Sequence, residues 1–139
     1  MASDPNCIFC KIVKGEIPSV RLFEDAETLA FMDINPVHDG HCLVIPKAHS
    51  ATVFEIVPED FAAAARIATK VAKAVKAAVP CDGFNLMQAN GAGAGQSVGH
   101  VHLHIIPRRH GDALLFNWEP KPGNRDQIAA VAERIRKML

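Results

Sequence analysis

Residues 100–107 read HVHLHIIP. His100, His102 and His104 alternate with Val101, Leu103 and Ile105. Side chains on a strand alternate faces with a period of two. A strand over about residues 98–106 therefore puts three imidazoles on one face and the apolar side chains on the other, against a core. The imidazoles follow one another at roughly 6.6 Å along the strand. One zinc, with bonds of about 2.0–2.1 Å, takes all three only if the rings lean together. The row reads as separate tasks rather than one cage.

The stretch just upstream, ANGAGAGQS at 89–97, runs directly into that row. Gly91, Gly93 and Gly95 let the backbone approach a ligand closely and adopt positive φ. Successive backbone N–H groups can form an anion-binding nest, and Gln96 and Ser97 add side-chain donors. The chemistry implied is an anion, of phosphate type, held beside imidazoles. A neutral imidazole is a good nucleophile near pH 7, its ordinary pKa being about 6.5. Its attack on phosphorus would form a phosphoramidate and split one hard hydrolysis into two easier steps. A second imidazole can donate to the non-bridging oxygens. With no carboxylate close by in sequence, a Ser-His-Asp scheme is less attractive.

Working outward, apolar and turn residues predict the other elements. A short helix spans Cys7 to Val13 and ends at Gly15 and Pro18. Strands at 20–24 and 28–33 flank the turn residues Asp25 and Ala26 as a hairpin. A loop at 34–40 precedes an apolar central strand at 41–46. Pro58 opens a long helix that stops at Pro80, and the acidic Glu59 and Asp60 suit its positive N-terminal end. Phe61, Ala64, Ala68, Val71, Val75 and Ala78 are its apolar positions. A strand follows at 84–88. After an irregular tail at 111–123, a last helix starts at Asn124, with Gln127 three residues on as in a capping box and a stripe of Ile128, Val131, Ile135 and Met138. The sum is an α+β fold, a mostly antiparallel five-stranded sheet with helices against it.

The chain has 139 residues, 49% of them hydrophobic, with 15 Lys+Arg against 15 Asp+Glu. That suits one compact domain over 1–139. A zero net charge gives no general attraction to duplex nucleic acid or an acidic membrane, so an anion must be held locally. The start MASDPNCIFCKI does not read as a signal peptide. No stretch approaches the roughly 18 apolar residues of a membrane span, and the expected location is cytoplasmic. There, the four cysteines are not expected to form disulfides. Cys42 and Cys81 read as buried, inert thiols. Cys7 and Cys10 form a C-x-x-C, which reads as metal or redox chemistry. No βαβ pattern surrounds it, which disfavours a thioredoxin-like role.

These residues resemble the histidine triad (HIT) family, whose signature is three histidines alternating with apolar residues and followed by two more apolar positions. Residues 100–106 fit it throughout. CIFCKI at 7–12 with GEIP at 15–18, LAFMDINP at 29–36, HCLVIPKAH at 41–49 and NGAGAGQSV at 90–98 are also similar. The likeness covers about 7–108, with the spacing of the Hint-type nucleotide-binding branch, and is weaker in the tail at about 111–139. It implies the HIT-like fold, a homodimer and a purine nucleotide substrate. His102 would be the nucleophile at the α-phosphorus, its other ring nitrogen held by a backbone carbonyl. His104 would bind phosphate oxygens and His41 would lie close to the row. Asn90, Gln96 and Ser97, with backbone near Val98, would hold the α-phosphate and aid the leaving group. Asp33 would take the ribose hydroxyls. Ile8, Phe9, Ile12, Phe31 and Ile34 would sandwich the purine, although ordinary core packing explains apolar residues equally well.

The resemblance also supplies ligands to complete the C-x-x-C. In related proteins a histidine after the central strand and the first histidine of the signature finish a structural zinc site, which here are His49 and His100. The function implied is a hydrolase or transferase cleaving a nucleoside phosphoramidate, acyl-adenylate or dinucleotide polyphosphate through a nucleotidyl-histidine. The alternatives are a non-catalytic nucleotide-binding module and a metallohydrolase with a catalytic metal on the histidine row. His38 and His110 receive no role, and 108–110 (RRH) reads as a solvated end. The likeness suggests a place for Trp118 near the site or the partner subunit.

Overall fold

The computed structural model describes residues 1–114 and 119–139. Five strands, β1 (Arg21–Glu24), β2 (Thr28–Met32), β3 (Cys42–Pro46), β4 (Gly83–Met87) and β5 (Leu103–Arg108), form one sheet in the order β1-β2-β3-β5-β4. Every neighbouring pair is antiparallel. The helices are α1 (Ile8–Val13), α2 (Pro58–Ala78) and α3 (Arg125–Arg136). This is the α+β architecture expected from the sequence.

The strands' period of two sorts the core into two faces. Leu29, Phe31, Leu43 and Ile45 pack with Phe9, Cys10 and Ile12 of α1 on one face. Ala30, Cys42, Val44 and Ile105 pack with Ala64, Ala68, Val71 and Val75 of α2 on the other. Small side chains at 63, 64 and 68 let α2 lie close on the sheet. Pro58 begins α2 and Glu59 and Asp60 occupy its first turn, as the charge pattern predicted. The register sets Phe31 opposite Leu43 and Leu43 opposite His104, so one row across three strands leads to a histidine.

Two expectations need correction. The histidine strand begins at Leu103 and runs to Arg108, not from 98 to 106; His100 and His102 stand on the irregular approach to it. Val101 N–H bonds to Ser50 C=O at 2.8 Å rather than to a strand. The approach nevertheless keeps the alternation: Val101 is buried and the histidines face α1. Secondly, α3 buries none of its residues, and Ile128, Val131, Ile135 and Met138 are exposed. Its cap is as predicted, with Gln127 N–H donating to Asn124 Oδ1 at 3.0 Å. Cys42 lies in the core, where burial pushes its thiol up to about 11; Cys81 is only half-buried. Trp118 lies outside the described residues, among which no helix is long and apolar enough to cross a membrane.

Gly40 decides how the β2–β3 loop re-enters the sheet. Its φ is +89°, and an added Cβ would lie 3.0 Å from Val75 Cγ1 and 3.2 Å from Pro107 Cγ. Left-handed backbone costs an L-residue about 1–2 kcal/mol before any clash. Gly40→Ala is expected to destabilise the protein by about 2–3 kcal/mol, read from urea unfolding midpoints.

Candidate functional site

A cavity of about 220 Å³ opens between α1, β2 and the approach to β5. Ile8, Phe9, Ile12, Phe31 and Leu43 supply its apolar wall, and Asp33, Ser97, His102 and His104 its polar groups, with Ile34 and Val98 also lining it. Ten of the positions assigned to nucleotide contact by resemblance are thus brought together: Ile8, Phe9, Ile12, Phe31, Asp33, Ile34, Ser97, Val98, His102 and His104. The apolar ones divide by exposure. Phe9, Ile12 and Phe31 are core residues that present a face to the cavity, whereas Ile34 is 85% exposed and Ile8 45%. Ile17, Pro18 and Ser19 line the cavity as well; sequence reading missed them because a loop carries no periodicity to mark its inner face.

Asn90 and Gln96 do not line this cavity. Asn90 Oδ1 accepts from Val53 N–H at 2.7 Å and its amide exchanges bonds with Gln88. Gln96 Oε1 accepts from Gly91 N–H, while its Nε2 donates to Ala51 and Val98 carbonyls. Both amides shape the glycine loop from within. The N–H groups of Ala94, Gly95 and Gln96 likewise turn back onto Gly91 and Ala92 carbonyls, as the positive φ of Gly91 and Gly95 permits. The loop is therefore a folded turn that delivers Ser97 to the cavity.

Hydrogen bonding assigns a tautomer to each of His102, His41 and His104. His102 Nδ1 lies 2.6 Å from the His100 carbonyl. A carbonyl only accepts, so Nδ1 carries the proton and Nε2 keeps its lone pair. Val37 N–H donates to His41 Nδ1 at 3.0 Å, so the His41 proton resides on Nε2. That nitrogen is 2.9 Å from His104 Nδ1 and 3.3 Å from Asp33 Oδ2. His104 therefore accepts through Nδ1 and keeps its own proton on Nε2. The chain leaves one imidazole a nucleophile and its neighbour a donor, their ring centroids 4.9 Å apart.

Burial, reinforced by the positive charge that His102 and His41 would carry, pushes His104 down to about 4. Burial likewise lowers His41, against the opposing pull of Asp33. His104 is thus neutral at pH 7. A base whose folded pKa lies below its ordinary 6.5 binds fewer protons folded than unfolded between those values, so stability rises with pH there. Its stabilising effect is complete above about pH 6.5 and is lost as pH falls towards 4. The loss attributable to His104 is on the order of 3 kcal/mol. Urea titrations at stepped pH should show it, and His104→Asn should flatten that part of the profile.

Asp33, His41 and His104 could in principle hold a cation. The His41 tautomer opposes it: with Nδ1 occupied by Val37 N–H, its Nε2 must lose a proton to become a ligand. The other cluster has the opposite character. Cys7 Sγ, Cys10 Sγ, His49 and His100 each offer a ligand atom, all within 4.8 Å of one another. His100 Nε2–H donates to the Pro46 carbonyl at 2.8 Å, so its Nδ1 lone pair turns inward. His49 Nδ1 lies 3.2 Å from it, and the sulfur–nitrogen separations are 3.4–3.7 Å. A tetrahedral zinc with Zn–N about 2.05 Å and Zn–S about 2.3 Å sets neighbouring nitrogens about 3.3 Å apart, and nitrogen and sulfur about 3.6 Å apart. The donor set fits zinc in chemistry and in spacing. Cys10 N–H and Asp4 N–H point at the Cys7 and Cys10 sulfurs, and Asp4 Oδ2 is 3.9 Å from His49 Nε2. Burial raises the Cys7 thiol, only partly opposed by the backbone N–H groups of Cys10 and Phe9; a divalent cation would favour the thiolate outright.

The HIT domain family matches residues 14–111 of the chain. The chain belongs to the HIT family. Among its HIT relatives, the adenosine 5'-monophosphoramidase of Schizosaccharomyces pombe is 44% identical, covering 96% of this chain and 98% of that protein. The crystal structure of a histidine triad nucleotide-binding protein from Candida albicans superposes with a TM-score of 0.87 at 36% identity, covering 96% of each chain. That of a zinc-bound histidine triad family protein from Mycobacterium smegmatis superposes at 0.75 with 37% identity, covering 95% of this chain and 97% of that one. The HIT signature thus accounts for the alternating histidines, and its first member is the one turned away from the cavity, towards the cysteines.

Proposed function

We propose that the protein hydrolyses a purine nucleotide substrate at its α-phosphate through a nucleotidyl-His102 intermediate. The substrate class is a nucleoside phosphoramidate, an acyl-adenylate or a dinucleotide polyphosphate. Its standing as a HIT-family hydrolase rests on relatives named for phosphoramidase activity. The observation that carries the covalent route is the His102 tautomer, with Nδ1–H on the His100 carbonyl and the Nε2 lone pair left for attack.

In the first step Nε2 attacks phosphorus, a P–N bond forms and the bond to the leaving group breaks, an amine leaving group taking its proton from solvent. In the second, water attacks phosphorus, the P–N bond breaks and the nucleoside monophosphate leaves. His104 Nε2–H donates to a non-bridging oxygen, Ser97 contacts the phosphate or leaving group, and His41 holds His104 in its donor tautomer. Asn90 and Gln96 support the phosphate through the loop they brace. Asp33 accepts from the ribose hydroxyls with the lone pairs left free by Asn35 N–H and His41. Ile8, Phe9, Ile12, Phe31, Ile34 and Val98 enclose the base.

Cys7, Cys10, His49 and His100 would hold a zinc that supplies structural cross-linking, tying α1 to the histidine segment. The protein is further proposed to act as a cytoplasmic homodimer of one HIT domain per chain, which size-exclusion chromatography with light scattering tests for assembly. A substrate panel comparing adenosine and guanosine phosphoramidates with diadenosine polyphosphates, followed by mass detection of modified His102, tests the reaction. Tight nucleoside monophosphate binding with no turnover across the panel would favour a binding module instead.

A further inference from the structure

Of the segment read as a solvated basic end, Arg109 and His110 are exposed, whereas Arg108 is half-buried and clamps a buried carboxylate. Asp112, 5% exposed at its side chain, accepts from Arg108 Nε at 2.8 Å and Nη2 at 2.5 Å, from Arg109 N–H at 3.1 Å and from His38 Nε2–H at 3.0 Å. Arg108 also bonds Asn85 Oδ1 on β4 and the Leu114 carbonyl. The carboxylate is therefore held from several sides, and His38 is the donor that reaches it from the β2–β3 loop.

That loop carries the His41 tautomer. The His38 carbonyl accepts from His41 N–H at 3.1 Å, and Val37 N–H, the amide just before His38, donates to His41 Nδ1 at 3.0 Å. Asp33 N–H closes the loop on the His41 carbonyl at 3.1 Å. A displacement of Val37 by about 1 Å takes its bond beyond hydrogen-bonding range. His41 Nδ1 is then free to take the proton itself. In that tautomer His41 Nε2 accepts, His104 must turn its proton to Nδ1, and His104 Nε2 presents a lone pair to a phosphate oxygen. The whole chain of donors reverses.

We propose that His38 is a positioning residue: by bonding Asp112 it holds the turn at 37–41 in the shape that keeps His41 in the Nε2–H tautomer, and so keeps His104 a donor to the substrate. The final clause rests on the hydrolase reading; the tautomer claim does not. Nothing in the linear sequence links residue 38 to residue 112, which lie on opposite sides of α2 in the chain.

The test compares wild type, His38→Ala and His38→Gln by ¹⁵N imidazole NMR and by steady-state turnover of a nucleoside phosphoramidate. Wild type should show His41 as a single Nε2–H tautomer. His38→Ala should show a mixture and a kcat lower by about tenfold, with KM changed less than twofold, as expected when a proton donor is misaligned rather than removed. His38→Gln, whose amide can still donate to Asp112, should restore both. A single Nε2–H tautomer in His38→Ala, or a shift that His38→Gln does not reverse, overturns the proposal. So does an unchanged kcat in a variant whose tautomer has moved. A wild type without nucleotide turnover refutes the hydrolase reading instead, while the NMR comparison still decides whether His38 sets the tautomer.

Discussion

His102→Ala is expected to lose at least about 10⁴-fold in turnover of a nucleoside phosphoramidate, because no other group can replace a nucleophile whose lone pair does the chemistry. The cavity contains one other signature imidazole, His104, and hydrogen bonding gives it a proton on the nitrogen that would have to attack. Retained folding is part of the expectation. The His102 ring packs edge-on against Phe9 with centroids 5.2 Å apart, so truncation leaves a cavity costing about 2–4 kcal/mol. That is tolerable for a domain with about 5–15 kcal/mol of stability. The measurement is single-turnover kinetics with intact-mass detection: wild type should acquire a nucleotidyl group and His102→Ala should not, with matched circular dichroism. Full activity in the variant would exclude the covalent route through His102.

The second large effect concerns the Cys7, Cys10, His49 and His100 cluster. Removing zinc with a chelator, or substituting Cys10→Ser, is expected to lower stability by several kcal/mol and to abolish turnover as the fold loosens. The His100 Nδ1 lone pair points inward, 3.2 Å from His49 Nδ1 and beside two buried sulfurs, a donor set that a cation would draw together. His100 is fully buried and stands two residues before His102, to which it lends its carbonyl, so the cluster also supports the nucleophile's orientation. Metal analysis should find about one zinc per chain. Chelator titration followed by both circular dichroism and activity separates the possibilities. Parallel loss of structure and activity marks a structural metal. Activity lost from a fully folded protein would mark a catalytic one and contradict the assignment.

Much of this was legible residue by residue. The alternation in 100–107, the Pro58 helix start and the Asn124 cap are local signals, each acting within a few residues of itself. The histidine strand was misplaced by several residues because the alternation survives in an irregular segment that bonds to Ser50 rather than to a strand. Asn90 and Gln96 read as ligand donors from their place beside glycines, but each also has a distant partner, Val53 and Ala51 respectively, that the fold brings in. Arg108 read as exposed because its partners come from β4 and from residues 112–114.

By itself the sequence determined the element order, the two-faced sheet and the candidate side chains for the chemistry proposed, because periodicity and residue type are local properties. It could not determine which nitrogen of each imidazole carries its proton. That depends on the Pro46 carbonyl facing His100, the His100 carbonyl facing His102, and the Val37 amide facing His41, with His41 in turn facing His104. Only tertiary structure sets those donors and acceptors, and they make three chemically identical histidines a zinc ligand, a nucleophile and a hydrogen-bond donor in the mechanism proposed.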